Sequence, residues 1–102
     1  MESKLPQSEK AIGILEVQAV AAAIAGLDAM VKAADVRLIH TEKRLGGRLM
    51  AVVVDGTVSA CEAAVEAGRV EAAKVGYVKE YAVIPRPHGE IQRYLYTDPL
   101  IG

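Results

Sequence analysis

The chain contains no tryptophan and no phenylalanine, and it has one cysteine and no clear excess of either charge. Without those two large apolar side chains, the core must be built from aliphatic groups. Alanine alone occurs 17 times in 102 residues. Small side chains let elements approach closely, but each buries little area, so a lasting partner is a physical expectation for this domain. The lone Cys61 supplies neither an internal disulfide nor a metal-ligand set, and a cytosolic setting follows as the simpler expectation. With 12 Lys+Arg against 13 Asp+Glu, the net charge of −1 argues against a general nucleic-acid surface. Tyr77, Tyr81, Tyr94 and Tyr96 do not interleave with basic residues as an RNA-binding surface requires. No apolar run is long enough to cross a bilayer, so no membrane partner is expected. The opening MESKLPQSEK lacks the ordered basic, apolar and cleavage regions of a signal peptide. We read residues 1–10 as a flexible extension, 11–96 as one domain and 97–102 as a short tail.

The elements follow from periodicity. AIGILEVQ (11–18) reads as a strand with Ile12 and Ile14 on one face. In 19–34, Val20, Ile24, Leu27, Val31 and Ala34 recur at three- or four-residue spacing and predict a helix. VRLIHTEK (36–43) and LMAVVV (49–54) read as neighbouring antiparallel strands, with Asp55-Gly56 interrupting the second. A second helix fits 57–76, its apolar face formed by Val58, Cys61, Val65, Gly68, Ala72 and Val75. Ser59 and Glu62 have capping-box spacing, and Thr57 is an alternative cap. YVKEYAVI (77–84) supplies a fourth strand, which Pro85 and Pro87 discourage from continuing. GEIQRYL (89–95) predicts a short C-terminal helix. The order β-α-β-β-α-β is a compact, ferredoxin-like α+β domain with an antiparallel sheet.

No catalytic constellation is present. Cys61 lies on the apolar stripe of its helix and reads as a packed side chain, because no activating group accompanies it. Glu62 and Glu66 share a helix face as ordinary amphipathic design. His40 and His88 are distant in sequence and supply no metal site. We expect no enzyme activity and no cofactor.

The stretch KRLGGRL (43–49) is the most unusual in the chain. It joins adjacent glycines to Arg44 and Arg48. A hairpin explains the glycines alone; an anion-contacting loop explains the glycines and the charge together.

Five segments carry a resemblance to the hexameric shell proteins of bacterial microcompartments, the BMC domain family. They are AIGILEV, LDAMVKAADVRLI, RLGGRLMAVVVDG, CEAAVEAG and VIPRPHGEI, and the resemblance spans roughly residues 11–93. It implies flat cyclic homo-hexamers that tile edge to edge, with the same or related shell hexamers, around encapsulated enzymes. It also implies a central pore for small metabolites and a place in the microcompartment shell within the cytoplasm. By the same resemblance Arg44, Leu45, Gly46, Gly47 and Arg48 form the pore loop. Lys32, Arg86 and His88 belong to the hexamer edge.

The loop departs from the family pattern. A Gly-x-Gly core is usual there; Gly46 and Gly47 match its first two positions, and Arg48 stands at the second glycine. Glycine enters positive-φ regions cheaply, so an arginine here requires a compatible backbone or a shifted turn. Directed inward, copies of Arg48 would make a basic ring; directed outward, they would meet a neighbour or solvent. Two such charges about 8 Å apart repel by roughly 0.5 kcal/mol at water-like dielectric, so a bound anion would relieve the ring. Small anionic metabolites are therefore the expected guests. Glu42 and Lys43 are local candidates for contact with Arg44. The runner-up function is an oligomeric anion-binding regulatory module, although the loop is neither a Walker loop nor a dinucleotide fingerprint.

Overall fold

The computed structural model describes residues 10–85. Its elements are β1 (Lys10–Gln18), α1 (Val20–Ala33), β2 (Arg37–Arg44), β3 (Leu49–Thr57), α2 (Val58–Ala73) and β4 (Tyr77–Pro85). A single 3-10 turn, Leu45–Gly47, joins β2 to β3. The sheet is ordered β2-β3-β1-β4, and every neighbouring pair is antiparallel. β3 is thus inserted between β1 and β2, and β1 between β3 and β4. These two interlocked split β-α-β units make the ferredoxin-like α+β architecture expected from the element order. Lys10 already belongs to β1. The rest of the N-terminal extension, the C-terminal helix expected at 89–95 and the tail lie outside the described residues.

Two local expectations change. Asp55-Gly56 does not end β3: Asp55 pairs with Ile12 and Gly56 with Ala11. Central β1 offers backbone partners from Met50 to Thr57 of β3, so a turn-favouring pair stays extended. The cap of α2 is Thr57, whose hydroxyl oxygen accepts a hydrogen bond from the Ala60 amide at 3.0 Å.

The main core lies between the helices and one sheet face. Leu15, Val17, Val52 and Val54 meet Ala22, Ala23, Met30, Ala64, Val65 and Ala72. Cys61 is fully buried, its thiol directed at the Ala11 carbonyl oxygen at 3.5 Å. Alternation along the strands sends Ile12 and Val53 to the opposite sheet face, where Ile14, Ile39 and Ile84 pack around them.

The helices approach through glycine. A β-carbon on Gly26 would stand 3.4 Å from the Gly68 carbonyl oxygen and 2.7 Å from a Leu15 methyl. This close approach rotates α1 partly away from its sequence-predicted stripe, of which Leu27 and Ala34 still pack against the core. The buried residues of α1 are Ala22, Ala23, Gly26 and Met30, whereas Val20 is 50%, Ile24 64% and Val31 44% exposed. The spacing correctly marks a helix. Val20, Ile24 and Val31 nevertheless face outward, because the small residues let α1 sit closer to α2 and β1, while Met30 fills the core and Leu27 packs against it.

Candidate functional site

The tip of the β2–β3 hairpin is built from three successive residues with positive φ: Leu45 at 53°, Gly46 at 66° and Gly47 at 93°. Arg48 then returns to ordinary right-handed backbone (φ −75°, ψ −25°), and its amide donates to the Leu45 carbonyl oxygen at 3.3 Å. The turn has shifted so that arginine escapes the left-handed region and leucine takes it, at about 1 kcal/mol. Around Gly46 and Gly47 nothing lies within 4 Å of where a β-carbon would sit. Leu45 is 64% exposed, and Arg48 is also exposed. The hairpin therefore presents a bare backbone arc flanked by one apolar and one cationic side chain.

Arg44 behaves differently. It closes β2 and is drawn back over the sheet, where its Nη1 donates to Glu16 Oε2 at 2.8 Å. The Glu16 side chain is only 5% exposed, and Glu16 is the one buried charged residue among those described. A buried carboxylate without its cation would be destabilising by about 3–5 kcal/mol, so the pair is a requirement of this sheet rather than a surface ornament. Local pairing of Arg44 with Glu42 does not occur; Glu42 Oε1 instead meets His40 Nε2 at 3.0 Å. Glu16 is the functional candidate that sequence reasoning missed. Its signal was present: it continues the Ile12–Ile14 register, so its side chain falls on a partly apolar sheet face where a carboxylate needs a cation.

Lys32 sits in the last turn of α1, where the helix dipole favours a cation. Its Nζ pairs with Asp28 Oδ2 at 3.1 Å, with both side chains largely exposed. Such a pair contributes about 0–1 kcal/mol and is easily exchanged for another acceptor. Lys32 leads into the start of β2, whereas the glycine turn leaves its end. This strand of 8 residues is about 25 Å long, with Lys32 before one end and the glycine turn after the other. Arg86 and His88, the other expected edge residues, lie outside the described residues.

Comparison with known proteins follows the same span. The model of the BMC domain matches residues 11–87. The bacterial microcompartment shell protein PduA of Citrobacter freundii is 45% identical over 87 residues, covering 85% of this chain and 92% of that protein. EutM of Salmonella typhimurium, also a bacterial microcompartment shell protein, is 43% identical over 83 residues, or 81% and 85% of the two chains. The carboxysome assembly protein CcmO of Synechococcus elongatus is 41% identical over 87 residues, which make up 85% of this chain and 31% of that longer protein. Among solved structures, a microcompartments protein from Desulfitobacterium hafniense superposes with a TM-score of 0.72 at 32% identity, over 82% of this chain and 45% of that one.

Proposed function

The chain belongs to the BMC domain family of microcompartment shell proteins, and from this footing we propose that it closes into cyclic homo-hexamers that tile into a shell with a central metabolite pore. It is a structural shell subunit and not an enzyme, as its relatives are. None of its described helices is long and apolar enough to cross a membrane. The observation that carries the finer reading is the separation of the glycine loop from Lys32 along the length of β2. A ring with residues 45–48 at its axis sends Lys32 outward, toward a neighbouring ring. Lateral contact with the same or related hexamers would then draw on Lys32 and on the 86–88 segment. The layer they form would enclose enzymes within the cytoplasm.

The outward apolar stripe of Val20, Ile24 and Val31 supports the same assembly. Exposed branched side chains in a row are poorly hydrated, and a subunit interface would cover them. The small residues that expose this stripe also tighten the monomer, so one packing choice serves both levels.

At the axis, Arg48 is the loop's cation, and its guanidinium suits carboxylate or phosphate groups. The pore accordingly favours small anions. Native mass spectrometry and electron microscopy test the assembly: a particle of six 10.8 kDa chains that forms sheets is expected. Intact monomers or two-fold dimers alone would overturn it. Discrete oligomers that bind nucleotide saturably and never form sheets would instead establish the regulatory module. Solute flux into intact shells tests the pore. Arg48→Gly lowers the anion-to-neutral flux ratio, and an unchanged ratio removes the anion preference.

A further inference from the structure

We propose that Glu16 is a positioning residue for the 45–48 loop, holding the Arg44 guanidinium down on the sheet so that Arg48 is left as the loop's solute-facing charge. The solute-facing part rests on the pore reading above; the positioning part does not.

The geometry is a crossing over β3. β1 and β2 are not neighbours, since β3 lies between them. Two strand spacings of about 4.8 Å put their backbones roughly 9.5 Å apart, a gap that an arginine and a glutamate can close only by reaching toward one another. They do so at 2.8 Å. The residue opposite Glu16 on the intervening strand is Ala51, which is also opposite Glu42. Its methyl group leaves the lane open; a long side chain there would stand in the path of the guanidinium.

Charge explains why Arg44 turns back. Glu42, Ala51, Glu16 and Glu80 form one row across the four strands, which places three carboxylates on one sheet face. Glu80, directly opposite Glu16 on β4, is another acid and offers it no relief. Glu42 is already in contact with His40. Arg44 alone among the described residues reaches Glu16, and the row draws its guanidinium away from the loop tip. The backbone leaving Arg44 enters the positive-φ turn at once, so anchoring its side chain fixes the direction from which the turn departs. Arg48, after the turn, is exposed, and no ion pair among the described residues includes it.

The test is 15N relaxation on the full chain in its native assembly, comparing wild type with Glu16→Gln. In the wild type, Gly46 and Gly47 should show order parameters near those of rigid backbone, about 0.8; in the variant they should fall below about 0.6, with the α2 interior unchanged. The Arg44 Nη resonances should lose their slow-exchanging, paired signature in the same sample. Loop order parameters equal to wild type overturn the proposal. So does an equal loss across α2, which would mean general loosening rather than positioning. The double variant Glu16→Gln/Arg44→Gln leaves no buried charge unpaired and keeps the test alive if the single variant does not fold. The same loop-confined loss is expected from it, and its absence overturns the proposal. This readout needs no pore, so it fails or succeeds independently of the flux comparison on Arg48→Gly shells.

Discussion

Gly68 of α2 faces Gly26 of α1 so closely that a β-carbon on Gly68 would stand 3.1 Å from the Gly26 carbonyl oxygen and 2.6 Å from Met30 Cγ. Met30 is itself fully buried, so neither neighbour has room to retreat. Two opposed effects follow from Gly68→Ala: alanine gains about 1 kcal/mol of helix propensity, while overpacking a tight core costs about 1–3 kcal/mol. Overpacking wins. Urea denaturation should show a lower midpoint, with net destabilisation of up to about 2 kcal/mol; a midpoint at or above wild type would show that the helices can part freely.

The α2 cap is a second local determinant. Thr57 is the donor's target for Ala60 N–H at 3.0 Å, while Ser59 lies outside that role. Thr57→Ala should therefore destabilise the domain by about 1 kcal/mol, and Ser59→Ala by much less. Thermal unfolding of the two variants side by side distinguishes the caps.

At the hairpin tip an added β-carbon meets nothing within 4 Å, so the cost of adding one is that of the left-handed backbone alone. Gly46→Ala should cost about 1 kcal/mol through its left-handed φ of 66°. Leu45→Gly should relieve a similar strain, partly offset by the greater freedom glycine has when unfolded. Opposite signs in chemical denaturation, with the smaller magnitude for Leu45→Gly, are the expected outcome.

The outward stripe of α1 predicts an assembly defect without a folding defect. Ile24 is 64% exposed, so Ile24→Asp should leave the circular dichroism of the subunit intact. In the proposed ring it buries a carboxylate against apolar surface and shifts native mass toward smaller species. Wild-type mass at micromolar concentration would show that this stripe is not an interface.

Much of the domain was legible in residue order. Helices and strands emerged because spacing of three or four and spacing of two select different backbones. The glycines and arginines of 43–49 marked the hairpin, and the split β-α-β order was sufficient for the α+β class. What escaped was local competition. Asp55-Gly56 interrupts the apolar run, yet the long partner β1 holds it in the ladder. Of the row that reads as a core face, Leu27 and Ala34 do pack against the core, yet Val20, Ile24 and Val31 give way to Ala22, Ala23 and Gly26 because close backbone approach favours the smallest groups. Arg48 calls for a compatible backbone or a shifted turn; the turn shifts, and the left-handed conformation falls on Leu45.

By itself, the sequence determined the element types and the family, since each rests on patterns among residues near one another or on ordered segments. Only the tertiary structure decided which cation answers Glu16, because Arg44 lies 28 residues away and meets it by reaching across a strand from a different part of the chain. Pairing of charges depends on distance in space, and sheet order, with β3 inserted between β1 and β2, creates that distance.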